Sequence, residues 1–158
     1  MRLSLFDSHW VHHRPAGAAV RRVRPHQPCV RRFYGLDTYL LSLPGAEKDD
    51  YKAEWGWFRY QIRGKLFAAV CTPGPEHGVY GGHDLVNLKC PPERAELLRA
   101  AYPEILPGFY MDKRNWIACL LDGALPEETL RQLCPESHKL VLEKLPKYVQ
   151  REILDRYE

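Results

Sequence analysis

From residue 33 onward, apolar and polar positions follow patterns that specify elements. Phe33, Leu36, Leu40 and Leu43 recur at helical spacing with Asp37 early in the run, and Pro44-Gly45 stops it, which predicts a first helix. Phe58, Tyr60 and Ile62 alternate with Arg59, Gln61 and Arg63, the period-two signature of a half-buried strand. Gly64, following Arg63, supplies the positive φ that a tight hairpin needs, so Lys65 to Cys71 is the partner strand. Residues 73 to 82 are interrupted too often by glycine and proline for either element and are read as a loop around His77.

Alternation resumes over residues 84 to 89, with Val86 and Leu88 on one face of a third strand. Pro91-Pro92-Glu93 then opens a helix, where a missing N–H is harmless and the dipole favours an acid. Leu97, Leu98 and Ala101 form its apolar stripe, and Pro103 ends it. Pro107-Gly108 makes another turn, and the apolar run from Trp116 to Leu121 predicts a deeply buried strand ending at Asp122-Gly123. Residues 126 to 133 and 136 to 145 predict two short helices. Residues 147 to 157 predict a last one, with Tyr148, Ile153 and Leu154 inward. The expected class is α+β, in the order α-β-β-β-α-β-β-α-α: an antiparallel sheet joined by tight hairpins, with helices packed on one face.

Residues 1 to 32 lack any sustained period and mix arginine with proline and glycine, which suggests an extension preceding one domain at residues 33 to 158. This division redistributes the charge. The extension holds seven arginines against one acid, Asp7, a net of +6; since the whole chain carries +3, residues 33 to 158 carry −3. A basic field over the whole domain is therefore excluded, and any contact with phosphate has to come from a local patch. The five cysteines are odd in number, lie far apart and include no C-x-x-C pair, which favours free thiols in a reducing compartment over a disulfide framework. With no long apolar run and no secretory h-region, a cytoplasmic location and no membrane partner are expected.

The sharpest cluster of candidate chemistry is Tyr110-Met111-Asp112-Lys113-Arg114-Asn115-Trp116, two adjacent cations and an aromatic before a buried strand. Cations on a hairpin tip reach phosphates while the strand fixes their position; the blander account is a solvated turn with a core tryptophan. Arg63 and Lys65 flank the other hairpin, and Lys89 ends the third strand. Glu47, Asp49, Asp50 and Glu54 form an acidic stretch read as a loop, without the ligand rhythm of a calcium loop. Cys134 and His138 stand four apart, but Pro135 is expected to break the helix between them, and no second pair completes a zinc site. His83 and Asp84 are adjacent on a strand and point to opposite faces, so they make no dyad. Dinucleotide, P-loop, nucleophile-elbow and zincin motifs are all missing, so neither an enzyme nor a cofactor is expected.

Several segments together resemble the MmcQ/YjbR family. They are Leu43-Pro44-Gly45-Ala46-Glu47, Gly64-Lys65-Leu66-Phe67-Ala68, Asn87-Leu88-Lys89, the stretch from Pro107 through Phe109-Tyr110 to Trp116-Ile117, Leu121-Asp122-Gly123, and residues 137 to 146. The resemblance implies a CyaY-like fold with a double-wing arrangement. It also implies a DNA-binding accessory or regulatory protein, with double-stranded DNA as partner and Lys65, Lys89, Lys113, Arg114, Asn115 and Trp116 as site residues, to which the hairpin position adds Arg63. Lys65 and Lys113 are the expected contacts, and Trp116 is expected in the core. The alternative carried by the same fold analogy is a frataxin-like module that binds proteins or handles metal through the acidic stretch 47 to 54.

Overall fold

The computed structural model describes residues 34–52 and 56–157, with side chains from residue 35 onward except 50 to 52; the proposed extension at residues 1 to 32 and Glu54 lie outside the described residues. Helix α1 (Tyr34–Leu41) leads into strand β1 (Ala46–Lys52), which is followed by β2 (Trp57–Ile62) and β3 (Lys65–Cys71). A kinked pair of 3-10 turns (Pro75–Tyr80) precedes β4 (Leu85–Lys89) and helix α2 (Pro92–Ala101). Strands β5 (Ile105–Pro107) and β6 (Trp116–Leu120) and helices α3 (Glu127–Leu142) and α4 (Lys147–Asp155) complete the chain. The six strands form one antiparallel sheet in the order β1-β2-β3-β4-β6-β5.

Cross-strand pairing divides the sheet into two unlike faces. Tyr60, Ala68, Leu88 and Ile117 form one row across β2, β3, β4 and β6, and Phe58, Val70, Val86 and Cys119 form the next. This face joins Leu36 and Leu40 of α1, Ala95 and Leu98 of α2, Leu130, Leu133 and Val141 of α3 and Val149 and Ile153 of α4 in the main core. The expected α+β sheet with helices on one face is therefore present. A β-bulge after Tyr60 leaves Phe67 without a partner on β2, so Phe67 and Ala68 both turn toward the helices. The four described cysteines, Cys71, Cys90, Cys119 and Cys134, are free and buried. Burial pushes the Cys134 thiol up to about 12 and the Cys90 thiol to about 11, which keeps both protonated and unreactive at neutral pH.

Three expectations need correcting. The acidic stretch from Glu47 is an edge strand, not a loop, so the order is α-β-β-β-β-α-β-β-α-α, one strand more than expected. It shows no apolar alternation because it forms by pairing with β2 at the border of the sheet, where Asp49 meets Arg59 and Lys48 meets Asp37 of α1. The two short helices around residue 135 are one continuous helix, α3, with Pro135 inside it. Proline cannot donate to the Arg131 carbonyl one turn earlier; the Tyr39 hydroxyl donates to that carbonyl instead, at 2.9 Å. Lastly, Leu97, Tyr148 and Leu154 face outward, and the buried positions are Ala95 and Leu98 in α2 and Val149 and Ile153 in α4. Each shift is of one or two residues, which on a helix is enough to move a side chain to another face.

Continuity of α3 places Cys134 and His138 on one buried face, but not as metal ligands. Cys134 lies in the core, and the His138 Nε2–H donates to the Pro44 carbonyl at 2.6 Å while the ring meets Phe67 edge-on. Among the described residues no group of three His, Cys, Asp or Glu side chains is placed to hold a metal ion. No described helix is long and apolar enough to cross a membrane.

Two outcomes follow from these contacts. Tyr39→Phe should destabilise the protein by about 1 kcal/mol. In a Pro135→Ala background, where a backbone N–H again serves Arg131, the cost should shrink toward zero. Equal costs in both backgrounds by urea unfolding would show that the hydroxyl does not replace the missing donor. Desolvation holds the His138 pKa below its ordinary value, so its neutral form is the one that suits the fold. Its contribution is complete above about pH 6.5, the unfolded value, and is lost as pH falls through the depressed folded value. His138→Gln keeps a donor and does not titrate, so its stability should fall less than that of the parent between about pH 7 and 5; parallel curves would refute the assignment.

Candidate functional site

The strand directions bring most of the expected site residues to one end of the sheet. Strand β2 runs toward the Arg63-Gly64 turn, β3 leaves it, β4 returns and β6 leaves again. Lys65 at the start of β3, Lys89 at the end of β4 and Trp116 at the start of β6 therefore lie at the same end, with Lys113-Arg114-Asn115 just before Trp116. They do not share one face. Lys65 is paired with Ile62, whose side chain points to the helices, whereas Lys89 and Trp116 are paired on the opposite side. The cations surround the sheet end rather than forming a plane.

Local geometry sets what each is free to do. Arg63 and Gly64 both have positive φ, as a two-residue hairpin turn with the right twist demands, and the Arg63 guanidinium bonds Glu152 of α4 at 3.1 Å. Lys65 is exposed at the mouth of this turn. The Lys89 ammonium lies 5.8 Å over the ring of Trp116, which is buried as expected. The Lys113 ammonium donates to the Gly108 carbonyl at 2.6 Å and lies 6.0 Å over the Tyr80 ring. Asp112 organises the turn: one oxygen accepts the Arg114 N–H and the other accepts from the Asn115 amide. The Asn115 bond first, and then the Arg114 N–H, hold the Asp112 carboxyl below its usual range. Asn115 thus shapes the turn, while the Arg114 side chain is exposed.

Sequence reasoning missed an aromatic cluster on the sheet face opposite the described α-helices. Across this face Arg59, Ala69, Asn87, Ala118 and Leu106 form one row, and the two alanines leave space above the middle of the sheet. The segment after β5 folds back into that space. Asn87, fully buried in β4, accepts the Phe109 N–H at 2.8 Å, and Phe109 packs on Cys71, Leu85 and Ala118. Gly108 is required there: a Cβ would stand 2.7 Å from the Trp116 Cβ and 3.0 Å from the Met111 Cβ. Trp57, Phe109 and Tyr110 lie within 23° of parallel, His77 meets Phe109 and Tyr110 edge-on, and Tyr80 leans on Phe109 at 4.9 Å. The available signal was the adjacent pair Phe109-Tyr110 between a glycine and two cations. Its partners at 57, 77 and 80 are too distant along the chain for any periodicity to connect them.

The rejected His83-Asp84 pair is separated as expected. Asp84 is buried against the Thr72 hydroxyl at 2.7 Å, while His83 Nδ1 lies 3.0 Å from Asp122 at the opposite end of the sheet from the cations.

If the Asn87 carboxamide holds the returning segment, Asn87→Ala should cost about 2 kcal/mol by stranding the Phe109 N–H. It should also accelerate hydrogen exchange at that amide beyond the change in global stability. Exchange as slow as in the parent protein would mean that packing alone holds the segment.

Comparison with known proteins places this frame. The family model described as YjbR matches residues 41–140. The uncharacterised Escherichia coli K12 protein YjbR is 30% identical over 108 residues, 68% of this chain and 85% of its own length. The uncharacterised Bacillus subtilis protein YyaQ is 36% identical over 85 residues, 52% of this chain and 71% of its own length. A crystal structure of a Deinococcus radiodurans protein with a DUF419 domain superposes with a TM-score of 0.64 at 25% identity, over 76% of this chain and 86% of its own. A Pseudomonas syringae protein superposes at 0.59 and 25% identity, over 70% of this chain and 97% of its own. From the match of sequence and of sheet and helices alike, the chain belongs to the YjbR family.

Proposed function

We propose that the domain binds DNA through the phosphate backbone, with Lys65, Lys89, Lys113 and Arg114 as the cationic contacts. The observation that carries this reading is the register: antiparallel pairing gathers cations far apart in sequence around one end of β3, β4 and β6. A local cluster of this kind is what a domain with a net charge of −3 over residues 33 to 158 needs in order to hold a polyanion. Within it the roles differ. Lys65 and Arg114 are exposed and present whole charges. Lys113 keeps its charge but has a carbonyl partner to exchange, and Asn115 and Trp116 set the backbone that carries the cations. Arg63 contributes less, because Glu152 already offsets it.

The acidic alternative has less to stand on. Its stretch is an edge strand; of its acids with described side chains, Asp49 is paired with Arg59 and Glu47 is exposed.

The test compares full-length protein with a Lys65→Ala/Lys113→Ala/Arg114→Ala variant on labelled duplex DNA by fluorescence anisotropy, over a range of salt. Both proteins carry the seven arginines of residues 1 to 32, so any difference belongs to the domain. Removing about three phosphate contacts should reduce the slope of log K against log salt by roughly 2 to 3. An unchanged slope and affinity would eliminate these cations as the DNA contacts.

A further inference from the structure

Tyr110 combines features that core packing does not explain. It has a positive φ of 58° although it carries a bulky side chain, a conformation that costs on the order of 1 kcal/mol and concentrates at binding sites. It is 72% exposed. One face of its ring lies on Phe109, with centroids 4.6 Å apart and planes 6° from parallel. Trp57 lies 5.9 Å from Phe109 and 6.2 Å from Tyr110, so the three centroids form a triangle and no ring is sandwiched between the other two. Among the described residues no ring stacks on the outer face of Tyr110, and the ring behind it belongs to Phe109, whose backbone N–H is held by Asn87.

From this geometry we infer that Tyr110 is a stacking platform for an unpaired nucleobase. The inference rests on the phosphate-binding reading above and specifies its ligand as nucleic acid with at least one unstacked base. The chemistry fits in three respects. A planar apolar face of single-ring size suits a base, and among the described residues the strongly exposed apolar side chain beside the cluster is Val79 of the 3-10 turns, too little surface for a stable protein interface. Lys113 and Arg114 follow Tyr110 by three and four residues, and the Lys113 ammonium flanks the same cluster over Tyr80. Phosphate-binding cations therefore stand beside the platform. Among the described residues, Glu76 is engaged with His77, and Asp112 with the Arg114 N–H and the Asn115 amide.

The experiment uses the full chain and three labelled probes: a single-stranded oligodeoxyadenylate, an abasic strand of the same phosphate number, and duplex DNA. Tyr110→Asn removes the ring while keeping a residue that tolerates positive φ, and Tyr110→Phe keeps the ring without the hydroxyl. The parent protein and Tyr110→Phe should bind the base-bearing strand about ten-fold more tightly than the abasic strand. Tyr110→Asn should lose that preference with an unchanged salt slope. Equal binding of base-bearing and abasic strands by the parent, or retention of the preference by Tyr110→Asn, overturns the stacking platform and leaves phosphate binding intact. Absence of any binding that depends on Lys65, Lys113 and Arg114 overturns both.

Discussion

The Ser137 hydroxyl is the contact on which the arrangement of this domain depends. Fully buried on α3, it donates to the Phe67 carbonyl at 2.6 Å and accepts the Lys89 N–H at 2.8 Å. Those two backbone groups belong to the central strands β3 and β4, one step beyond the last regular pair, Ala68 with Leu88. A hydroxyl inserted there satisfies a donor and an acceptor that would otherwise be stranded in the core, where each unmade bond costs about 1 to 3 kcal/mol. It also fixes where the long helix crosses the sheet. Because Phe67 is the bulged residue and Lys89 is one of the cations, the same atom ties the helix layer to the basic end.

The two faces of the sheet then have different tasks. The helix side is filled with leucine, isoleucine, valine and cysteine and gains its stability from apolar area removed from water. The other side carries alanines and a buried asparagine in its central row, and none of the described α-helices packs on it. A covering segment lies close there only if its backbone is satisfied and side chains at the crossing are small. Asn87 meets the first condition and Gly108 the second. The outcome is a thin aromatic cover whose outermost ring remains in solvent, beside cations held by a short Asp112-centred turn.

Membership of the YjbR family establishes the frame that carries these groups, and the chemistry of the site must come from the side chains themselves. They make a cationic sheet end and an aromatic cover joined by Lys113, which touches both through Gly108 and Tyr80. A proximity of this sort sets cationic charge beside a planar aromatic face.

The sequence by itself determined the elements whose signals are local. Alternation over residues 58 to 62 and the Arg63-Gly64 pair specified the hairpin of β2 and β3, Val86 and Leu88 marked the face of β4, and Pro91-Pro92-Glu93 marked the start of α2, because periodicity and turn chemistry act between near neighbours. It also identified the cationic residues. Tertiary structure decided what depends on distant partners. Strand β1 forms because β2 lends it a ladder, and α3 passes through Pro135 because Tyr39, 92 residues away from Arg131, supplies a hydrogen bond. Cations at 65, 89 and 113 to 114 converge only once antiparallel register is set, and rings from 57, 77, 80, 109 and 110 meet only when the chain folds back over Asn87. Contacts between residues so far apart leave no local pattern, since their energy is realised only after the core has closed.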